Sequence, residues 1–549
     1  MRTAVYNRYW DTGGGAEKYG GAAAQILAAD GPLDLLSHDP VDVDWLADRL
    51  RLDLSGTRVR LIDDTFGAVT AASGDYDLFV NVSYMSSDRA AVPASLYIVH
   101  FPTPLDAHLS SFQRQVVRRL VGQREAPGVS MAWGDGFHAR DGRRGQVAWT
   151  NGRGRLRFTT DPERPVTVEF VFGHHRPAEL GPTTVAIEVD GEVAAKVEIA
   201  PPTSRLAARM GARAEVEVVS PEPGVPVVVD VVSDTFLPGE VLGNADRRRL
   251  GVPLIGLNVG TGRLTRVARR FPILHAPYGG IDWLDSYGLV VSNSAFTRGW
   301  VDTYWSHDSE VLYPPVTMYP AGPKERAILN VGRFFPSDRG HSKKQLELVR
   351  AFRRLCDGGV QGWALHLCGG CSDAGAEYLD LVRREAEGYP VEFHVNAPGA
   401  ELESLYARAS VYWHASGLGE DAQRHPDRLE HFGISTVEAM SAGAVPVVIG
   451  LAGQRETVRH GVDGYHFRSL NGLVALTRGL IDDPAQLARL SASAADRARR
   501  FSLDAFGTDL HALVARVLAP EGGSAADGQA PLGTASSRTR SAAGRPVRR

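Results

Sequence analysis

The chain has 549 residues, 43% of them hydrophobic and 23% charged, with a formal net charge of −4. At ~100–200 residues per domain this length predicts about three domains, and the near balance of charge argues against a nucleic-acid-binding protein. Three cysteines, Cys356, Cys368 and Cys371, give no disulfide framework and fit a reducing compartment; no charged-then-apolar leader opens the chain and no apolar run reaches ~18 residues, so a cytoplasmic protein with at most peripheral membrane contact is expected.

In chain order, Thr3–Tyr6 predicts a strand, Gly13-Gly14-Gly15 a glycine loop, and Ala22–Leu27 part of a helix. Such a loop lets backbone N–H groups approach a polar ligand and can cradle phosphate, although it is not a G-x-G-x-x-G string and also fits a plain strand-to-helix turn. The runs 77–81 and 95–100 are short and apolar, which predicts buried parallel strands. The second ends in His100-Phe101-Pro102-Thr103-Pro104. Ligands in such sheets gather at the carboxyl ends of strands, so His100 reads either as a ligand-facing residue or as a histidine bonded to nearby backbone.

From 128 to 252 the rhythm changes to short strands, alternating at least in part: 146–149, 155–159, 166–172, 184–189, 193–199, 214–219 and 225–232. Asp190-Gly191 is a hairpin signal, and about seven strands in ~110 residues predict a β-sandwich. Trp149 and His174-His175 are candidates for carbohydrate contact, with core packing as the alternative. The Asp246–Val252 stretch, with Arg247, Arg248 and Arg249, reads as a solvated turn leading back to the α/β domain.

Pro253–Leu257 is expected to be a strand of that first domain. A buried strand at 287–294 follows, then a helix from Ala295 to Trp305 capped by Ser294, then a linker at 319–324. Beyond it the α/β pattern resumes, with strands expected at 327–331, 363–370, 391–395, 411–416 and 445–449. Arg333 follows the first of these, and Lys343-Lys344 open the helix Leu346–Leu355. Arg presents a planar fork of donors and Lys a compact point charge, the chemistry a diphosphate needs. Cys368-Gly-Gly-Cys371 lacks a second ligand pair and reads as a strand end with a glycine turn. Residues 417–429 form a long charged loop, expected to be mobile until a ligand binds.

That loop leads to Glu430-His431-Phe432-Gly433-Ile434-Ser435-Thr436-Val437-Glu438, two carboxylates eight positions apart around a glycine and two hydroxyls. Ser435 and Thr436 are good N-caps for a helix beginning near Val437. Gly433 would let backbone approach a ligand. The free N–H groups and dipole at a helix mouth suit a diphosphate, but the dipole alone supplies roughly 0.3–1 kcal/mol when exposed, so cationic side chains are required as well. Residues 519–549 are rich in Gly, Ala, Ser and Arg and cannot bury enough surface to order; the tail is basic and could touch anionic lipid.

The string E-H-F-G-I-S-T-V-E-A-M-S-A-G-A-V-P-V-V resembles the donor-site signature of the family 4 glycosyltransferases, retaining enzymes with two Rossmann-like domains facing a cleft (the B-type fold). G-G-G-A-E-K in the first loop and S-N-S-A-F-T followed by V-L-Y-P-P-V are similar to the same family. The resemblance covers roughly residues 1–127 and 253–505. It implies an α/β architecture with an N-terminal acceptor domain (1–127 and 253–322), an inserted β-sandwich-like domain (128–252) that lies outside the resemblance, a nucleotide-sugar donor domain (323–505), and a crossover at 506–518.

The resemblance also implies roles. Arg333 and Lys343 would hold the diphosphate, with Lys344 as the alternative to Lys343. Glu430 would hold the donor sugar's hydroxyls, Glu438 the ribose hydroxyls, and His100 would face the transferred sugar. Gly14, Gly15, His414, Phe432, Gly433, Ile434 and Ser435 would line the donor site. The implied reaction moves a sugar, mannose or another hexose, from a nucleotide-diphosphate sugar to a hydroxyl of a glycan, polysaccharide or glycolipid, with retention, no cofactor and no metal. The alternatives are a non-catalytic carbohydrate-binding scaffold, or a phosphorylase or nucleotide-sugar epimerase on the same fold.

Overall fold

Seven short strands build the first sheet, in the spatial order Glu310–Val311, Leu289–Ser292, Ser95–Val99, Leu78–Asn81, Thr3–Tyr6, Leu33–Ser37 and Thr57–Leu61. All are parallel. The central ones are buried at every position, which is why they read as continuous apolar runs instead of alternating ones. The computed structural model describes residues 1–102, 130–133, 136–138, 148–242, 248–336, 342–371 and 375–519, except 66, 85, 87, 175, 203, 205–210, 261–280 and 306. Thr103, Pro104, Gln146, Val147, His175, Asp246, Arg247 and the tail from 520 onward lie outside the described residues.

Between Val99 and Leu289, neighbouring strands of that sheet, the chain makes an antiparallel β-sandwich. One sheet holds Glu192–Ile199, Thr183–Val189, Val227–Val232, Arg153–Thr159 and Ser130–Trp133; the other holds Ala212–Val218, Val166–Phe172, Pro253–Val259 and Ala148–Trp149. Asp190 and Gly191 both have positive φ, 49° and 90°, as a two-residue hairpin turn of the primed type requires. Inward residues such as Phe158, Phe170, Val185, Val216 and Val229 form one core.

Two readings change here. Pro253–Val259 pairs antiparallel with Val166–Phe172, so it is a sandwich strand and not a strand of the first domain. A short apolar run looks alike in both settings. The arginine turn is not merely solvated either: Arg248 Nε lies 3.9 Å from Asp64 of the first domain, which also pairs with Arg8 at 2.9 Å. Trp149 is 7% exposed and packs edge-on against Phe236 at 5.9 Å, and so belongs to the core. His174 Nδ1 bonds to the Ala200 carbonyl at 2.7 Å.

The second α/β sheet has six parallel strands, in the order Val391–Val395, Ala364–Gly369, Ala327–Val331, Val411–His414, Val445–Ile449 and Tyr465–Phe467. Strand order reverses between Ala327–Val331 and Val411–His414, the point where ligands gather at strand carboxyl ends in open α/β sheets. Gly332, Arg333 and His414 stand there.

The helix Leu503–Leu518 leaves the second domain and packs Phe506, Leu510, Leu513 and Val514 into the core of the first. The two α/β domains meet through charged caps and pairs. Glu456 accepts from the backbone N–H groups of Ala295 and Phe296 at 2.8 and 2.7 Å, opening the helix Ala295–Trp305 beside its own Ser294 cap. Arg51 reaches the Gly399 carbonyl and Glu403 at 3.1 and 3.2 Å.

Candidate active site

Gly332 ends a buried strand, and a Cβ built on it would fall 2.5 Å from Lys343 Cγ. The Lys343 stem therefore crosses over this glycine. Its Nζ pairs with Glu430 Oε2 at 2.5 Å, and the same oxygen accepts from His414 Nε2 at 2.9 Å. An ionised carboxylate only accepts, so His414 carries its proton on Nε2. Burial holds the His414 pKa below its ordinary value against the opposing pull of Glu430. Its Nδ1 is a buried lone pair with no hydrogen-bond partner among the described residues.

The two lysines have different partners. Lys344 sits at φ +59° and turns away to Glu420 at 2.7 Å, which also receives Arg428 at 3.4 Å. Glu420 thereby ties the charged 417–429 loop to the start of the helix Gln345–Asp357. Gln345, fully buried, donates to the carbonyls of Gly332 and Arg333 at 3.0 and 3.1 Å and fixes the loop from below. Arg333 itself is exposed and makes no ion pair among the described residues.

The signature helix spans Ile434–Ser441 and its N-cap is Gly433, at φ +100°, not Ser435 or Thr436. Hydroxyl side chains signal a cap strongly, but here a left-handed turn is needed and glycine supplies it. A Cβ on Gly433 would also lie 2.6 Å from Gln454 Nε2, which is itself bonded to Thr436 Oγ1 at 2.9 Å. The N–H groups of Thr436 and Val437 bond back to the Gly433 carbonyl, so those of Ile434 and Ser435 form the open mouth. Ser435 Oγ accepts from Tyr412 at 2.8 Å.

Glu438 lies one turn further in. Tyr406 donates to its Oε2 at 2.8 Å, and Lys18, from the first glycine loop, approaches Oε1 at 3.5 Å. Gly15 faces Ile434, its would-be Cβ 3.6 Å from Ile434 Cδ1. Gly14 is less open than its sequence suggests, since its N–H is bonded to Glu17 Oε2 at 2.8 Å. Glu17 is 4% exposed and also bonded by Asn7 and Thr12, so it props the loop from inside. The Phe432 side chain is 3% exposed and packed between Tyr313 and Phe501.

His100 Nε2 bonds to the Val82 carbonyl at 2.7 Å, which fixes the proton there and leaves Nδ1 as the acceptor. Burial pushes its pKa down. Next to it Phe101 stacks on His431 at 4.0 Å and 10°, with Phe296 beyond at 6.1 Å, so an aromatic stack bridges the two domains. Burial lowers the His431 pKa from 6.5 to about 4. In the unfolded chain this group protonates near 6.5, whereas in the fold it stays neutral to about 4, so the unfolded state binds more protons between those values. Stability is therefore expected to fall as pH drops from about 6.5 toward 4. His431→Phe, which keeps a ring in the stack, is expected to flatten that slope in melting temperatures recorded across the window.

Sequence reasoning passed over Lys18, Tyr406, Gly453, Gln454 and Glu456. Gly453 and Glu456 stood in view as G-Q-R-E just after the signature, but only the fold reveals what they touch.

Residues 319–497 match the family model of the glycosyl transferases group 1. That segment holds the second α/β sheet, from Ala327–Val331 to Tyr465–Phe467. Its parallel sheet and that of the first domain are the two α/β units of the B-type glycosyltransferase architecture. Curated relatives include a GDP-Man:Man(3)GlcNAc(2)-PP-Dol alpha-1,2-mannosyltransferase of Dictyostelium discoideum, 25% identical over 235 residues, or 39% of this chain and 44% of that one. The Homo sapiens protein of the same name is 28% identical over 186 residues, 29% of this chain and 35% of that one. The chain thus spans less than half the length of these relatives. Among solved structures, Anabaena HepE in complex with UDP is similar at 12% identity and a TM-score of 0.49, covering 94% of this chain and 100% of that one. Sucrose-phosphate synthase from Thermosynechococcus elongatus is similar at 14% and 0.48, covering 94% and 99%.

Proposed function

We propose that this chain is a retaining glycosyltransferase that moves a hexose from a nucleotide-diphosphate sugar to a hydroxyl of a glycan or glycolipid. The observation that carries the reading is Lys343, Glu430 and His414 joined just before the glycine-capped helix, with Arg333 exposed one residue after Gly332, which the Lys343 stem crosses. When the bond from sugar to phosphate breaks, negative charge grows on the β-phosphate. Lys343, Arg333 and the Ile434 and Ser435 N–H groups would meet that charge, a preorganised electrostatic effect.

Lys343 then exchanges Glu430 for phosphate, and Glu430 is released to accept from the sugar's hydroxyls. Glu438, held by Tyr406, serves the ribose hydroxyls. The acceptor attacks from the face the phosphate leaves, and that phosphate takes the acceptor's proton, giving retention. The diphosphate is held by side-chain cations, so this reaction needs no metal. Because the curated relatives are named for GDP-mannose, mannose from a guanine nucleotide is the specific donor proposed. A cytoplasmic location with peripheral membrane contact belongs to the same reading.

The test is a thermal-shift screen against GDP, UDP and ADP and their sugars. Saturation at ~100 times the dissociation constant adds ~2.7 kcal/mol of stability. The expected result is a shift with GDP and GDP-mannose that Arg333→Ala weakens, and an α-configured product by NMR. A folded protein that responds to no nucleoside diphosphate would instead be a non-catalytic carbohydrate-binding scaffold.

A further inference from the structure

Outside the donor site, the edge of the second sheet brings three ligand-type side chains to one face. The strands Ala364–Gly369 and Val391–Val395 run parallel with His366 opposite Glu392 and Cys368 opposite His394. Side chains two apart on a strand share a face, so His366, Glu392 and His394 converge. His366 Nδ1 lies 3.1 Å from His394 Nε2 and 3.4 Å from Glu392 Oε2, and His394 Nε2 lies 3.9 Å from the same oxygen. All three ligand atoms fall within 4.8 Å of one another. Ligands at ~2.0–2.2 Å from a tetrahedral zinc ion stand roughly 3.3 Å apart, so the spacing is that of three corners of one coordination sphere.

A second observation concerns orientation. His394 Nδ1 bonds to Glu401 Oε1 at 2.6 Å. A carboxylate there accepts from Nδ1–H, which keeps the ring proton on Nδ1 and leaves Nε2 as a lone pair aimed at the cluster, the arrangement that orients histidine ligands in metal sites. The two histidines are nearly buried while Glu392 is more than half exposed, which leaves a path for an ion. Arg408, whose charge reaches His366, is drawn aside to Glu325 at 3.4 Å.

We infer that His366, Glu392 and His394 form a zinc-binding site, with Glu401 as the residue that positions His394 and water as the fourth ligand. Imidazole and carboxylate suit a borderline ion such as Zn2+. The site would clamp the edge strand Val391–Val395 to its neighbour, and that strand runs on to Asn396, which accepts from the Cys371 N–H at 3.0 Å.

The experiment is a titration of the purified full chain with Zn2+ against a chromophoric chelator, with melting temperatures read in parallel. One equivalent is expected to bind and to raise the melting temperature. His394→Ala and the milder His394→Gln are expected to abolish both effects, and Glu401→Gln to weaken binding ~10–100-fold. Cys371→Ser is expected to change nothing, and circular dichroism checks that each variant is folded. The inference is overturned if the wild-type chain binds no stoichiometric zinc, if folded histidine variants still bind it, or if Cys371→Ser removes it. None of these outcomes bears on nucleotide binding, so the zinc site and the donor site stand or fall separately.

Discussion

Lys343→Met is expected to lower turnover ~100- to 1,000-fold, the ~2.7–4 kcal/mol that follows when one preorganised group facing developing charge is removed. The same change removes the Lys343 cation from the Glu430 carboxylate, whose side chain is 14% exposed and which also accepts from His414. Breaking a buried pair from one side costs roughly 3–5 kcal/mol; water reaches this one, so about 2–3 kcal/mol is the expected loss of stability. The two effects separate in the double variant. Lys343→Met with Glu430→Gln leaves no uncompensated charge and should recover most of the stability, yet none of the turnover. Gly332→Ala should act in the same direction without removing a charge, since its methyl meets the Lys343 stem. The measurement is kcat with the proposed donor, GDP-mannose, beside urea midpoints. A Lys343→Met protein that keeps its turnover would show that another cation carries the diphosphate.

Gly453→Ala is expected to cost a comparable factor from a residue that touches no substrate. Gly453 has an ordinary helical φ of −60°, so alanine meets no backbone penalty there. The obstacle is space, because a Cβ would lie 2.1 Å from the His431 carbonyl oxygen and 2.5 Å from Phe432 Cα. Both are backbone atoms that cannot swing aside. The Gly453 N–H also bonds to the Glu430 carbonyl at 3.0 Å, so the segment that must yield is the one bearing Glu430 and Gly433. Overpacking typically costs 1–3 kcal/mol, and a catalytic group displaced by about 1 Å can lose ~100-fold in rate. Steady-state kinetics should place the loss in kcat. Wild-type kcat in a folded Gly453→Ala protein would show that the loop shifts without carrying Glu430 along.

The α/β halves were legible because buried parallel strands are continuous apolar runs, and Val445–Ile449 or Ser95–Val99 cannot be mistaken for surface. The sandwich was legible from alternation, down to the Asp190-Gly191 hairpin. Its boundary was not, since Pro253–Val259 has the same apolar character whichever sheet receives it. At the site, Lys343, Glu430 and His414 lie in three separate stretches, and their meeting at one carboxylate oxygen depends on the strand-order reversal. Gly433 misled for a local reason, as cap rules favour hydroxyls and this cap needs a positive φ. The zinc cluster was hidden differently: His366 and the pair Glu392 and His394 are separated by a whole helix, and nothing short of the strand register sets them side by side.

The helix Leu503–Leu518 bears on the order in which the molecule is made. Synthesis runs from the N-terminus, so the sandwich and most of the second domain can close while the first domain still lacks its last packing partner. Until residue 514 has emerged, the cavity that receives Phe506, Leu510, Leu513 and Val514 stands open, a deficit of ~1.5–3 kcal/mol for each large side chain not yet buried. The domain that begins first is therefore completed last. In the interval its apolar surface is open to chaperones, and a chain that ends before this helix would hold a finished second α/β domain beside an unfinished neighbour.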